Sequence, residues 1–133
     1  MEEDVILDKE NYVLQPEQYS PLVLAYLGDA VYELYVRKML ISKANTQVDK
    51  LHKSAISYVR AEAQCEAYRK IENELTEKEM AIFKRGRNTK SSVPKHSSVS
   101  EYRTATGLEA LIGYIYLTGD INRLDYIMNL ILS

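Results

Sequence analysis

The chain has 133 residues, of which 46% are apolar and 27% charged, with a formal net charge of −2. These are the proportions of an ordinary globular domain with one hydrophobic core. Its only cysteine, Cys65, excludes an internal disulfide bond and a cysteine-based metal cluster. The chain lacks an uncharged apolar run of about 18 residues, as a transmembrane helix requires, and its acidic start, Met1–Asp4, lacks a signal-peptide pattern. We therefore expect a cytoplasmic protein with no membrane partner.

The first half of the chain predicts two helices after an irregular lead-in over residues 1–19. Ser20-Pro21 is a typical helix start, because serine caps the first turn and proline suits the first helical position. This helix is expected to end near Ile41. Asn45 is then predicted to cap a long amphipathic helix over residues 46–71, whose apolar side chains recur at helical spacing.

Three further helices are predicted in the second half. Thr76–Glu79 is a capping box, which opens a short helix that should end near Gly86, before a polar loop over residues 87–97. Ser98–Glu101 is a second capping box, and Asp120 is the predicted cap of the last helix. No segment has the polar–apolar alternation of a strand, so the sequence predicts an all-α fold of five or six helices.

Two strongly apolar helical stretches each carry one acidic side chain where a core residue is expected. Residues 22–32 contain Asp29, and residues 107–117 contain Glu109. A carboxylate buried among aliphatic side chains is costly unless it is paired, neutralised or bound to a metal. Small residues beside both acids would let the two helices approach closely; they are Ala25, Gly28, Gly107 and Gly113. Ligation by oxygen alone is the preference of Mg²⁺ or Mn²⁺, so we expect the two acids to share a divalent cation.

Either acid by itself could instead form an ion pair with an arginine, and this alternative stays open for each. The candidate partners are Arg37, Arg60 and Arg103. Two such acids together favour a shared cation. A di-iron site is disfavoured, because it needs a glutamate three residues before a histidine, and neither His52 nor His96 has one.

A basic segment lies between Lys84 and Arg103, with six lysines or arginines against one acid, Glu101. The rest of the chain is correspondingly acidic. Such a local concentration of positive charge indicates a localised contact with a polyanion rather than nonspecific binding over the whole surface. The alternative is an ordinary solvated loop.

Residues 24–31 resemble the signature helix of the ribonuclease III family, in the form of its Mini-ribonuclease III branch. Residues 106–114 resemble the other acidic motif of that family. Between them, residues 84–88 and 93–95 resemble elements particular to that branch. The four motifs occur in the family's order, and the likeness extends over residues 20–132.

The resemblance implies an all-helical ribonuclease III endonuclease-domain fold, with residues 1–133 as one catalytic domain that forms a homodimer. It implies an endoribonuclease that cuts double-stranded RNA with Mg²⁺, for which Mn²⁺ would substitute. It also implies maturation of precursor large-subunit (23S) ribosomal RNA in bacteria, with a ribosomal protein as a further partner. Asp29 and Glu109 match the family's metal-binding catalytic acids, and Tyr26 matches the residue that packs across the dimer axis.

The resemblance also implies that the whole chain is catalytic domain. We therefore expect this domain to bind the RNA substrate by itself, through a surface of its own. The expected contacts are Lys84, Arg85, Arg87, Asn88, Lys90, Lys95 and Arg103. Ala25 and Thr106 stand where the wider family has further acids, as in the Mini-ribonuclease III branch, so water and RNA phosphate must complete the metal shell. The rival hypothesis is a noncatalytic RNA-binding module with the same fold, which has no need of buried carboxylates.

Overall fold

The computed structural model describes residues 12–90, 92, 93, 95 and 98–133. Helices account for its regular structure, and no strand occurs within these residues. The helices are α1 (Pro21–Lys43), α2 (Val48–Val59), α3 (Ala61–Ile71), α4 (Glu77–Asn88), α5 (Val99–Thr118) and α6 (Ile121–Leu132). The predicted all-α fold is confirmed. No helix in the described part of the chain is long and apolar enough to cross a membrane.

Helix α5 is the centre of the fold and packs against α1, α3, α4 and α6. Most of its side chains from Ala105 to Ile115 are buried, including Leu108, Leu111 and Ile112, which have no exposed surface. A helix that is apolar on all sides is stable only when other helices surround it. The sequence of α5 therefore fixes its central place, and the amphipathic helices α2, α3, α4 and α6 can lie around it.

The prediction of one long helix over residues 46–71 is wrong, because the helix is interrupted at Arg60. The backbone of Arg60 is extended (φ −68°, ψ 157°), and this ends α2 and begins α3. Helix α2 packs mainly on α1, whereas α3 packs on α5. One straight helix could not bury its apolar face against both, so tertiary burial outweighs local helix propensity. The predicted cap is also wrong, since Gln47 rather than Asn45 precedes α2.

The other predicted helix boundaries hold to within two residues. Helix α1 runs to Lys43, and α4 continues past Gly86 to Asn88, so the polar loop begins later than predicted. Gly86 does not end a helix; it lets α4 approach α5, since a Cβ there would lie 2.9 Å from the Gly107 Cα. Residues 1–11 of the lead-in and residues 91, 94, 96 and 97 of the loop lie outside the described residues.

The capping predictions for the later helices are largely confirmed. Thr76 and Glu79 form the reciprocal capping box of α4, and Asp120 accepts from the Arg123 backbone N–H at the start of α6. Ser98 accepts from the Glu101 backbone N–H, which is one half of the second predicted box.

Glu79 also joins α4 to α6. Its two carboxylate oxygens accept from the Arg123 guanidinium at 2.7 and 2.9 Å. Burial acts to raise the pKa of Glu79, but hydrogen bonds from Arg123 and Thr76 outweigh it and hold that pKa below its ordinary value. The ion pair therefore holds the start of α4 against the start of α6.

Candidate active site

Helices α1 and α5 cross at two glycines, with their backbones in contact. A Cβ on Gly28 would lie 1.7 Å from the backbone oxygen of Glu109, and one on Gly113 would lie 2.1 Å from that of Leu24. No larger residue fits at either position. The close approach predicted from small residues is thus confirmed for Gly28 and Gly113. Gly107 serves a different contact, because it faces Phe83 of α4.

The crossing brings the two predicted acids together. Asp29 follows Gly28 directly, and its carboxyl group lies within hydrogen-bonding reach of the Glu109 carboxyl group. Both acids were expected to be buried. This is wrong for Asp29, which is exposed, and Glu109 is only half-buried. The reason is helical geometry: Leu24 and Tyr32 turn the apolar face of α1 inward, and Asp29 lies at the edge of that face. The pair therefore lines the solvent-facing side of the crossing.

The proximity of the two carboxyl groups perturbs Glu109. Burial, then the charge of Asp29 and a hydrogen bond with it, raise the pKa of Glu109 to about 8, although a hydrogen bond from Gln64 acts in the opposite direction. Ionisation of both adjacent carboxyl groups is unfavourable because their negative charges repel each other. The pair therefore binds either a proton or a cation.

This shift makes stability depend on pH when no divalent metal is present. At pH values between the ordinary glutamate pKa and about 8, Glu109 is protonated in the folded chain and ionised in the unfolded chain. Stability from this group is thus complete below the ordinary value and is lost as the pH rises towards about 8. We expect the melting temperature in excess chelator to fall over this range, and Glu109→Gln to flatten the fall.

The measurement is thermal unfolding of the full chain between pH 5 and pH 9 in excess chelator. Above pH 8, Glu109→Gln should be more stable than the wild type by on the order of 1 kcal/mol, because the buried charge is gone. Glu101→Gln, a change of the same kind in the same helix, is the control and should leave the profile unchanged. Superimposable profiles for wild type and Glu109→Gln would contradict the assignment.

The donor set suits a cation that keeps much of its water. Within the described residues, no group of three or more His, Cys, Asp or Glu side chains could hold a metal. Asp29 and Glu109 would thus supply two carboxylates, with water and substrate completing the shell. Mg²⁺ and Mn²⁺ accept such sites, whereas Zn²⁺ prefers His and Cys ligands. The arrangement fits a hard divalent cation.

The alternative of arginine pairing has no support in the described part of the chain. Arg37 pairs with Glu33 one turn away on α1, and Arg60 pairs with Glu62. Among the described residues, no ion pair joins an arginine to Asp29 or Glu109. The charge on the two acids is therefore available to a cation.

The two positions where further acids were noted as absent contribute no ligand. Ala25 is buried against the core, and the Thr106 hydroxyl donates to the backbone oxygen of Tyr102 at 3.0 Å. Both side chains complete the packing around the crossing.

Sequence reasoning missed Gln64, which belongs to the site. It lies on α3 with 1% of its surface exposed, and its Nε2 atom donates to Glu109 Oε2 at 3.4 Å. Its spacing from Ala67 and Ile71, three and seven residues on, places it on the buried face of α3. That polar residue at a core position was the available signal. The residue that Gln64 contacts could not be predicted, because it depends on the interruption of the helix at Arg60.

The predicted RNA-binding residues divide into two groups. The first group has exposed side chains and consists of Lys84, Lys90, Lys95 and Arg103. Arg85 instead donates to the backbone oxygens of Glu17 and Tyr19 at 2.8 and 3.0 Å, which holds the lead-in against α4. Arg87 is half-buried over the Phe83 ring and donates to the Asn88 side chain at 3.2 Å. Arg85, Arg87 and Asn88 therefore carry internal contacts as well.

Tyr26, predicted at a dimer axis, is 84% exposed on the outer face of α1. Leu22, Val23 and Leu34 are also exposed on this helix, by 43%, 51% and 57%. Positions 22, 26, 30 and 34 recur every fourth residue and form one stripe, with Val23 beside it. We call Leu22, Val23, Tyr26 and Leu34 the α1 apolar stripe.

The family comparison matches the region that carries both acids. A family model described as the ribonuclease III domain matches residues 22–120. Two similar proteins are named Mini-ribonuclease 3. The one from Clostridium tetani is 50% identical over 88% of this chain and 79% of its own length, and the one from a Thermoanaerobacter species is 46% identical over 98% and 89%.

A solved structure has the same fold. The crystal structure of a protein from Fusobacterium nucleatum superimposes with a TM-score of 0.79 at 38% sequence identity. The match covers 86% of this chain and 93% of that one.

Proposed function

Since the chain belongs to the ribonuclease III family and is an endoribonuclease, we propose that it cuts double-stranded RNA with Mg²⁺ held by Asp29 and Glu109. The observation that carries this proposal is the pair of facing carboxyl groups at the glycine crossing of α1 and α5. We further propose that the substrate is precursor 23S ribosomal RNA in the bacterial cytoplasm, that residues 1–133 act as one catalytic domain, and that a ribosomal protein bound to the precursor is a partner.

Each acid has a separate part in this chemistry. Asp29, at the exposed edge, is open to solvent, whereas Glu109 lies on the inner side of the crossing and accepts from Gln64. When bound, Mg²⁺, or Mn²⁺ in its place, would polarise a water for attack on phosphorus and neutralise charge on the departing 3′ oxygen. Products with 5′-phosphate and 3′-hydroxyl ends follow from that direction of attack.

The direct test is incubation of the purified chain with long duplex RNA, first with Mg²⁺ and then with excess chelator. We expect cleavage with Mg²⁺ and intact RNA with chelator. Intact RNA under both conditions would instead favour a noncatalytic RNA-binding module. Precursor 23S RNA with its paired ends is the second substrate, and failure to cut it while cutting other duplexes would remove only the ribosomal assignment.

The α1 apolar stripe supports a homodimer. Exposed apolar side chains gathered on one helix face mark an association surface, and a two-fold axis through Tyr26 would bury the stripe of one copy against that of another. Two sites related by such an axis would each address one strand of a duplex. This arrangement accounts for scission of both strands by a small domain.

We expect Tyr26→Asp to convert the dimer to a monomer, because it places a charge at the centre of an apolar contact. Sedimentation velocity of the wild type and the variant measures this. Tyr116→Asp is the matched control, since Tyr116 is also partly exposed, at 44%, but lies on α5. A Tyr26→Asp variant with the mass of the wild type would contradict the proposed axis.

The basic residues between Lys84 and Arg103 form the proposed RNA surface. A-form RNA is recognised chiefly through phosphates and 2′-hydroxyl groups, and lysine or arginine side chains that neutralise phosphates make binding salt-dependent. Lys84 and Lys90 have exposed side chains suited to this role.

We expect the double variant Lys84→Gln/Lys90→Gln to weaken duplex binding and to reduce the slope of log affinity against log salt by about two. Filter binding at several salt concentrations, with chelator to prevent cleavage, measures it. Lys43→Gln/Lys78→Gln makes the same change of charge elsewhere on the surface and serves as the control. Equal slopes for the two double variants would exclude Lys84 and Lys90 from the interface.

A further inference from the structure

Gln64 is a polar side chain buried in the core beneath the two acids. It is 1% exposed, and its neighbours on α3 are apolar, including Ala67 and Ile71. Burying an amide side chain costs about 1–3 kcal/mol unless it is hydrogen-bonded. A leucine or methionine would fill the same volume without that cost. The reason for glutamine at this position therefore lies in the contact it makes.

That contact is with Glu109. The Gln64 Nε2 atom lies 3.4 Å from Glu109 Oε2, across 45 residues of sequence. This distance is longer than the range of about 2.7–3.2 Å that is typical of an N–H···O hydrogen bond, and long hydrogen bonds in a free active site commonly tighten once the catalytic complex forms. The contact exists because the break at Arg60 turns α3 onto α5.

An amide donor is well suited to orient a ligand carboxylate. Because a carboxylate is planar, a bond at one oxygen also fixes the direction of the other. A neutral donor does this without adding positive charge, whereas lysine or arginine would compete with a cation for Glu109. Groups that hold metal ligands in this way typically matter by about 10–100-fold in metal affinity or activity.

We propose that Gln64 is a positioning residue, which orients the Glu109 carboxylate so that Glu109 and Asp29 together bind the divalent cation. This inference rests on the metal site proposed above. Gln64 itself touches neither RNA nor the reacting atoms in this arrangement; it acts through Glu109.

The test is Mn²⁺ binding to the full chain, followed by electron paramagnetic resonance, for Gln64→Leu and Gln64→Met. Both variants keep the volume and remove the donor. We expect the Mn²⁺ affinity to fall about 10-fold or more, and the Mg²⁺ concentration for half-maximal cleavage to rise in proportion. Duplex affinity in chelator should not change. Methionine, which is unbranched, decides the matter if leucine prevents folding.

Cys65→Ala is the matched control, since Cys65 is also buried on α3 but points about 100° away. It should leave Mn²⁺ affinity unchanged. In a Glu109→Gln background, Gln64→Leu should cause no further loss, because residues that act through one another are not additive. Wild-type Mn²⁺ affinity in a folded Gln64 variant, or an additional loss in that background, would overturn the proposal. Unchanged Mn²⁺ affinity in Asp29→Asn would show instead that the metal site itself is wrong.

Discussion

Asp29→Asn and Glu109→Gln are each expected to lower cleavage of duplex RNA by about 10³-fold or more, equivalent to about 4 kcal/mol of transition-state stabilisation. The amide keeps the shape of the carboxyl group but removes the charge that a divalent cation needs. Because Asp29 is exposed and Glu109 is half-buried without an ion pair among the described residues, neither change should disturb folding. Single-turnover cleavage of a defined duplex with Mg²⁺ measures the loss.

Asp49→Asn provides the control for a change of charge, because Asp49 is exposed at the start of α2. It should cleave like the wild type. Circular dichroism and sedimentation should show that all three variants keep the fold and oligomeric state of the wild type. If either active-site variant cuts duplex RNA at the wild-type rate, the two acids are not the catalytic pair.

Gly28→Ala is expected to destabilise the fold by about 3 kcal/mol or more, at the upper end of what overpacking costs. In an ordinary helix the same change would stabilise by up to about 1 kcal/mol. Here the new Cβ would lie 1.7 Å from the backbone oxygen of Glu109. Neither helix backbone can move aside without opening the core, so the clash determines the sign. Chemical denaturation measures the free energy of unfolding.

The same variant should also lose most of its cleavage activity, because separating α1 from α5 separates the two acids. Ala81→Ser is the control: it also adds one heavy atom to a helix, but at an exposed position of α4, and should cost little. An unfolding free energy for Gly28→Ala equal to or above that of the wild type would contradict the observed crossing.

Local signals determined most of the helix boundaries. Ser20-Pro21, the capping box of Thr76 and Glu79, and the Asp120 cap each act within one turn of chain, so they can be read without knowing the fold. The break at Arg60 has no such signal. It arises because α2 and α3 bury their apolar faces on different helices, which is a property of the assembled core.

The sequence by itself identified the two acids as site residues and the glycines beside them as points of close helix approach. A charged residue within an apolar helix, and a small residue next to it, are both visible as local patterns. Tertiary structure alone decided how far each acid is buried, since that depends on which face of α1 meets α5. It alone also brought Gln64 to Glu109 and Arg85 to the lead-in. Side-chain hydrogen bonds between residues 45 or 68 positions apart depend on the helix packing angles, and no local pattern encodes those.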